Sequence, residues 1–175
     1  MPTIVLFDID GTLMFGDSAG RRAMERAFSE LCGSSAGLEA FRFDGMTDRA
    51  IVRKALLVGD PSAVVNESRI DALLAKYLEY LPVAIASAQG FKVHEGVVDL
   101  VQALLKRADC ATGVGTGNVE KGAHIKLKAA GLADRFACGG YGSDAEARAG
   151  LIEVGLRRGA TSLGLVRSQC SAWIV

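Results

Sequence analysis

Neither sign of charge dominates this chain: among 175 residues, 20 Lys and Arg balance 20 Asp and Glu. It has no basic stripe interleaved with aromatics, which argues against nucleic acid as the main partner. No apolar run reaches the ~18 residues that a membrane span requires. Met1 leads into a strand-like run without a basic n-region, so no signal peptide is read and a cytoplasmic protein is expected. The four cysteines (Cys32, Cys110, Cys138 and Cys170) stand far apart and include no Cys-x-x-Cys pair. That argues against a zinc site or a disulfide framework and for single buried thiols. Internal repeats and low-complexity tracts are absent. The two histidines, His94 and His124, read as surface or helix-end residues without chemistry. What the chain does have is apolar content: half of its residues are hydrophobic. That is enough for one domain with a real core, with room for a small appendage.

The most informative stretch is residues 4–13, Ile-Val-Leu-Phe-Asp8-Ile-Asp10-Gly11-Thr12-Leu13. Ile4 to Phe7 has the continuous apolar character of a strand buried on both faces. Side chains alternate along a strand, so Asp8 and Asp10 fall on one side where it ends, just before a Gly-Thr turn. Two carboxylates forced together repel unless a cation or a shared proton relieves them. Mg²⁺, which takes one or two carboxylates together with substrate phosphate, is the natural relief.

Beyond that stretch the pattern is helical. Asp17 to Leu31 reads as an amphipathic helix capped by Asp17 or Ser18, and Gly33 to Gly37 as a loop. A second helix runs through Ile51, Val52, Ala55 and Leu56 with Thr47 as N-cap, and Gly59-Asp60-Pro61-Ser62 breaks it. A third spans Ser68 to Leu81, with Ile70, Leu73, Leu74, Tyr77 and Leu81 on one side, and Pro82 is expected to end or kink it. After Gly90 the pattern changes. Val97 to Lys106 reads as a helix, Ala111 to Gly115 as a buried strand, and Gly122 to Ala130 as a helix closed by Gly131. Phe136 to Gly140 reads as a strand, and Asp144 to Arg157 as a helix. Alternating strands and helices predict a Rossmann-like α/β fold with a parallel sheet. The core is expected over 1–15 and 91–175, with a helical cap inserted over 16–90.

Asp8-Ile-Asp10-Gly11-Thr12 resembles the first motif of the haloacid dehalogenase-like hydrolases, Asp-x-Asp-Gly-Thr. The arrangement of the chain resembles the phosphoglycolate phosphatase and β-phosphoglucomutase-like branch. The resemblance implies that Asp8 is the nucleophile that takes the phosphoryl group. It also implies that Asp10 protonates the leaving group and later activates water, and that both contribute to a Mg²⁺ site. Gly11 and Thr12 complete the motif beside the phosphate. Val114-Gly115-Thr116-Gly117-Asn118 resembles the second motif, in which the Thr116 hydroxyl and the N–H groups of Gly117 and Asn118 hold a phosphate oxygen. A strand-to-helix turn suits an anion on physical grounds as well. The third motif supplies a lysine. Ala145-Glu146-Ala147-Arg148 does not match its usual place, so the expectation falls on the helix after Asn118, first on Lys126, then Lys128, then Lys121. From the cap, Gly45-Met46-Thr47-Asp48-Arg49 is expected to face the site, with Thr47 touching the substrate.

The family's fourth motif, an acidic pair at the end of a later strand, has no counterpart, because no acidic residue follows Glu153. The resemblance covers residues 3 to about 157. The tail reads as a truncation by frameshift or early stop, which is expected to impair catalysis and to leave a sheet edge unpaired; the alternative is a variant that takes its metal ligands elsewhere in the chain. The implied activity is Mg²⁺-dependent hydrolysis of a small phosphorylated metabolite through an aspartyl-phosphate. The alternative is a non-catalytic remnant or phosphate-binding module of the same fold. The residues do not specify the substrate or the oligomeric state.

Overall fold

The computed structural model describes residues 1–62 and 64–175. Its central element is β1 (Thr3–Phe7), and the apolar run makes it central. Ile4 and Leu6 point to one face of the sheet, into a cluster with Leu156 and Ala160, and Val5 and Phe7 point to the other, against Val101 and Leu127. A strand with both faces buried belongs in the middle of a parallel sheet covered by helices. Accordingly, β4 (Cys110–Thr116) pairs with it in parallel on one side, and β5 (Cys138–Tyr141) pairs with β4. Helices α5 (Val97–Leu105) and α6 (Glu120–Ala129) cover one face, and α7 (Arg148–Ser162) covers the other. This is the expected Rossmann-like α/β architecture.

The edge expected to lie open is covered. Residues Ser171–Ile174 form β6, which pairs in parallel with β1 from Thr3↔Ser171 to Leu6↔Ile174, giving the order β5-β4-β1-β6. The short apolar run Ala172-Trp173-Ile174 satisfies the ladder groups of β1 that would otherwise be bare.

Between β2 (Met14–Phe15) and β3 (Lys92–Val93), an antiparallel pair, stand four helices among the described residues. They are α1 (Ala19–Cys32), α2 (Ala36–Glu39), α3 (Asp48–Gly59) and α4 (Glu67–Ala86). They bury their own cluster, including Met24, Phe28, Val52, Leu73 and Leu81. The one-turn α2 begins inside the stretch expected to be a loop. Pro82 does not end α4, which continues to Ala86. Pro82 is exposed, so water can serve the carbonyl that its missing N–H abandons, and buried Leu81 and Ile85 hold the helix to its neighbours. No helix among the described residues is long and apolar enough to cross a membrane.

The packing of α7 on β5 sets the position of the site, because α7 begins at Arg148. It depends on glycine. A Cβ on Gly140 would overlap the carbonyl oxygen of Leu151 and lie 2.9 Å from the nitrogen of Gly155, both backbone atoms. Gly140→Ala is therefore expected to cost roughly 3 kcal/mol of stability. It should appear as a lower urea midpoint at unchanged slope, and a midpoint equal to the parent's would refute this account of the contact.

Candidate active site

Asp8 and Asp10 stand immediately beyond β1, separated by the fully buried Ile9. Gly11, at φ +82°, turns the chain back, and its N–H donates to the carbonyl of Met14. A side chain there would be strained in that left-handed conformation. The turn holds both carboxylates at the floor of a cleft of about 670 Å³ between the sheet and the inserted helices. A second groove, about 350 Å³, lies against β1, α5 and β6 and carries no carboxylate side chain, so the acid chemistry belongs to the first.

Each carboxylate has its own cation. Lys126 Nζ lies 2.6 Å from Asp10 Oδ2 and 2.7 Å from Asn118 Oδ1. Arg148 Nη2 lies 2.5 Å from Asp8 Oδ2. Lys126 is 5 % exposed, and two oxygens accept from its ammonium there. Lys121 and Lys128, the lower choices, are exposed on the outer side of α6. For Asp10, burial pushes the carboxyl up, but the Lys126 ammonium and the bonds from Lys126 and Asn118 outweigh it and leave the group below its ordinary range.

Asn118 links the parts. Its amide donates to Asp10 Oδ2 and to Thr116 Oγ1, each at 2.8 Å, while its carbonyl accepts from Lys126. Its backbone N–H, expected to face a phosphate, donates to Thr116 Oγ1 instead, at 3.2 Å. Thr116 is fully buried, and its hydroxyl is the acceptor that fixes this loop. Gly117 and Gly11 line the cleft, and Thr12 is half-buried in the turn.

The opposite wall comes from the inserted helices, and here one expectation is corrected. Thr47 does not face the cleft. It is 1 % exposed, its hydroxyl donates to the carbonyl of Glu146 at 3.0 Å, and the same oxygen accepts from the N–H of Ala50 as the N-cap of α3. Its neighbour Asp48 lines the cleft, with its N–H on the carbonyl of Gly117 at 2.8 Å and its Oδ2 accepting from Val119 N–H at 2.9 Å. Arg53 pairs with Glu146 at 2.9 Å beside it. Gly117 permits this approach, since a Cβ there would overlap the carbonyl oxygen of Met46. Tyr77 of α4 also reaches the cleft, and burial holds its phenol protonated well above the ordinary range.

Burial, with a smaller push from Asp10, raises the Asp48 carboxyl from 3.8 to about 6 against the pull of Lys126 and the Val119 N–H. The folded protein thus binds this proton more tightly than the unfolded chain. The stabilisation is fully present below about pH 4 and is lost as pH rises through about 6, by roughly 3 kcal/mol in all. Asp48→Asn keeps an oxygen for Val119 and removes the titration, so its stability is expected to stay flat over that window. Urea midpoints at half-unit intervals from pH 4 to 7 test this, and parallel curves for the two proteins would rule it out.

Whether these residues suit a divalent ion depends on the donor set. Among the described residues, no three Asp, Glu, His or Cys side chains gather where they could hold a metal. Asp144 is taken by Arg158, Glu146 by Arg53, and Glu153 is exposed. Asp8 and Asp10 line the floor of the cleft itself, with Asp48 on its wall, a fit for the protein's share of a Mg²⁺ shell completed by phosphate and water, not for a closed protein cage.

The structure thus brings Asp8, Asp10, Gly11, Gly117, Asn118 and Lys126 to one cleft, with Thr116 just behind it. Asp48, with Gly45 and Met46, lines it from the cap segment 45–49 expected to face the site, and Arg148 and Tyr77 join without having been singled out. For Arg148 the signal was its place after the Tyr141–Asp144 loop, where the resemblance puts a cation. Tyr77 sat in an apolar helical stripe, which says nothing of its hydroxyl.

A family model described as haloacid dehalogenase-like hydrolase matches residues 2–171. A phosphoglycolate phosphatase of Pseudomonas putida is 33 % identical over 109 residues, covering 61 % of this chain and 39 % of that protein. The chain thus spans about two fifths of that relative's length. Among solved structures, CbbY from Rhodobacter sphaeroides in complex with phosphate aligns with all of this chain and 87 % of its own, at a TM-score of 0.61 and 19 % identity. A mutant of CbbY was solved with xylulose-(1,5)bisphosphate. A predicted phosphatase from Clostridium acetobutylicum aligns with 98 % of this chain and 75 % of its own, at 0.62 and 18 %. At these identities the structural likeness concerns the fold.

Proposed function

Since the chain belongs to the haloacid dehalogenase-like hydrolases, we propose that it hydrolyses small phosphomonoesters at the Asp8–Asp10 cleft through an aspartyl-phosphate. The observation that carries this reading is that two carboxylates stand at the end of the central strand with a fixed cation on each, Arg148 on Asp8 and Lys126 on Asp10. Residues 16–90 act as a cap that walls the cleft and chooses the substrate.

The phosphoryl group enters between the two cations and the Gly117–Asn118 loop. Asp8 attacks phosphorus with a carboxylate oxygen, the ester P–O bond breaks, and Asp10 gives a proton to the departing oxygen. Lys126 enables that donation: as the anionic phosphate draws the ammonium away, the Asp10 carboxyl rises and holds a proton. With the alcohol gone, Lys126 returns and Asp10, again a carboxylate, takes a proton from water. The water oxygen attacks the acyl-phosphate and releases phosphate and free Asp8. Arg148 and Lys126 meet the charge gathering on the phosphoryl oxygens. Mg²⁺, which Asp8 and Asp10 would hold, supplies further neutralisation of that charge.

A phosphate-holding module without turnover is the second reading, favoured by the same pairs, which let the cleft accept an anion without further help. Phosphate release from an aryl phosphate, with Mg²⁺ and with chelator, separates the two. Mg²⁺-dependent turnover supports the hydrolase. Phosphate binding by calorimetry with no turnover under either condition supports the module.

A further inference from the structure

Residues 142–147 join β5 to Arg148, the first residue of α7. The two halves of this loop are held by different parts of the molecule. The first half is tied to the sheet layer. Gly142 N–H donates to the carbonyl of Asn118 at 2.8 Å, and Asp144 accepts from the N–H of Tyr141 and pairs with Arg158 of α7 at 2.7 Å. The second half is tied to the inserted helices. The Glu146 carbonyl accepts from the Thr47 hydroxyl at 3.0 Å, and its carboxylate accepts from Arg53 Nε at 3.0 Å and from Arg53 Nη2 at 2.9 Å. Arg53 is fixed in turn by Glu67 of α4 at 2.6 Å. Two residues beyond Glu146, Arg148 meets Asp8, the one hydrogen-bond partner of its guanidinium among the described residues. The tight backbone approach of α7 to β5 starts at Leu151, and the turn before it has no side-chain cap. The direction of that turn is therefore set by what holds Glu146.

We propose that Arg53 and Glu146 are positioning residues: through this loop, α3 aims Arg148 at Asp8, so a catalytic cation carried by the core is placed by a contact with the inserted helices. This rests on the hydrolase reading, in which Arg148 touches the phosphoryl oxygens. The bidentate geometry suits the role, because an arginine fork on a carboxylate fixes direction as well as distance. The energetics separate positioning from structural support. The Arg53 and Glu146 side chains are 32 % and 36 % exposed, and an ion pair so open adds little to stability. Misplacing a catalytic group by about 1 Å, by contrast, can cost on the order of a hundredfold in rate. Loss of the pair should therefore be read in catalysis far more than in folding.

A double-mutant cycle with p-nitrophenyl phosphate and Mg²⁺ tests this. Arg53→Met is expected to lower kcat/KM about tenfold in the parent, but less than about twofold in Arg148→Met protein, where the arginine to be aimed is gone. Glu146→Gln should act as Arg53→Met does, and Arg53→Lys, which keeps a charge on Glu146, should recover most of the loss. Urea midpoints of the single variants should stay near the parent's. Equal losses in the two backgrounds overturn the proposal, as does parental activity in both Arg53→Met and Glu146→Gln. A parent without turnover fails the hydrolase reading alone. The same cycle is then read by calorimetry with inorganic phosphate. Weaker binding in Arg53→Met that disappears in the Arg148→Met background sustains the positioning role, and unchanged binding, or the same weakening without Arg148, overturns it.

Discussion

Asp8→Asn is expected to abolish phosphoester turnover, by roughly a thousandfold or more in kcat, in a protein that folds as the parent does. An amide cannot form the acyl-phosphate bond. Nothing else in the cleft can replace it at the end of β1, because Ile9 is buried and Asp10 is held by Lys126 and Asn118. The structural cost is small by comparison. Asp8 and Arg148 are 24 % and 34 % exposed in their side chains, and a pair so placed contributes about 1 kcal/mol or less. Matched urea midpoints with activity lost would therefore locate the defect in the chemistry. Near-parental turnover in pure Asp8→Asn protein would remove Asp8 from the role of nucleophile.

Lys126→Met is expected to lower kcat on the order of a hundredfold. The ammonium has two duties, which predict two separate signatures. It holds Asp10 ionised against burial, so without it the Asp10 carboxyl rises. The acidic limb of the kcat profile, which reports the base that activates water, should then move to higher pH. It is also the cation that opposes the burial of Asp48, so stability should fall, by roughly 2 kcal/mol once the 45 % exposure of the Asp10 side chain is allowed for. A lysine that merely decorated the surface of α6 would show neither effect, as Lys128→Met should demonstrate. A profile unmoved by Lys126→Met would separate the ammonium from Asp10.

Strand β1 and the two acids that follow it were legible because their information is local. Four apolar residues followed by two acids and a glycine turn specify a buried strand and two carboxylates at its end without reference to the rest of the chain. Lys126 was legible only through the resemblance, which puts the third motif's lysine in the helix after Asn118. Arg148 was not, because its contact with Asp8 spans 140 residues and is set by the glycine packing of α7 on β5. Thr47 illustrates the opposite error. Its place at a helix start was read correctly, but a capping hydroxyl is already spent, and the residue that faces the cleft is the next one, Asp48. Strand β6 was missed because four residues have too little periodicity to mark a strand, and its pairing is supplied by the bare edge of β1.

The most direct test is to look for the covalent phosphate. Protein mixed with a phosphoester and Mg²⁺ and quenched in acid within milliseconds should carry one phosphoryl group per chain at most, on the peptide that contains Asp8, labile to hydroxylamine as an acyl-phosphate is. The Asp8→Asn protein should carry none. Turnover at parental rates with no label, or a label on any residue other than Asp8, would contradict the mechanism proposed for this cleft.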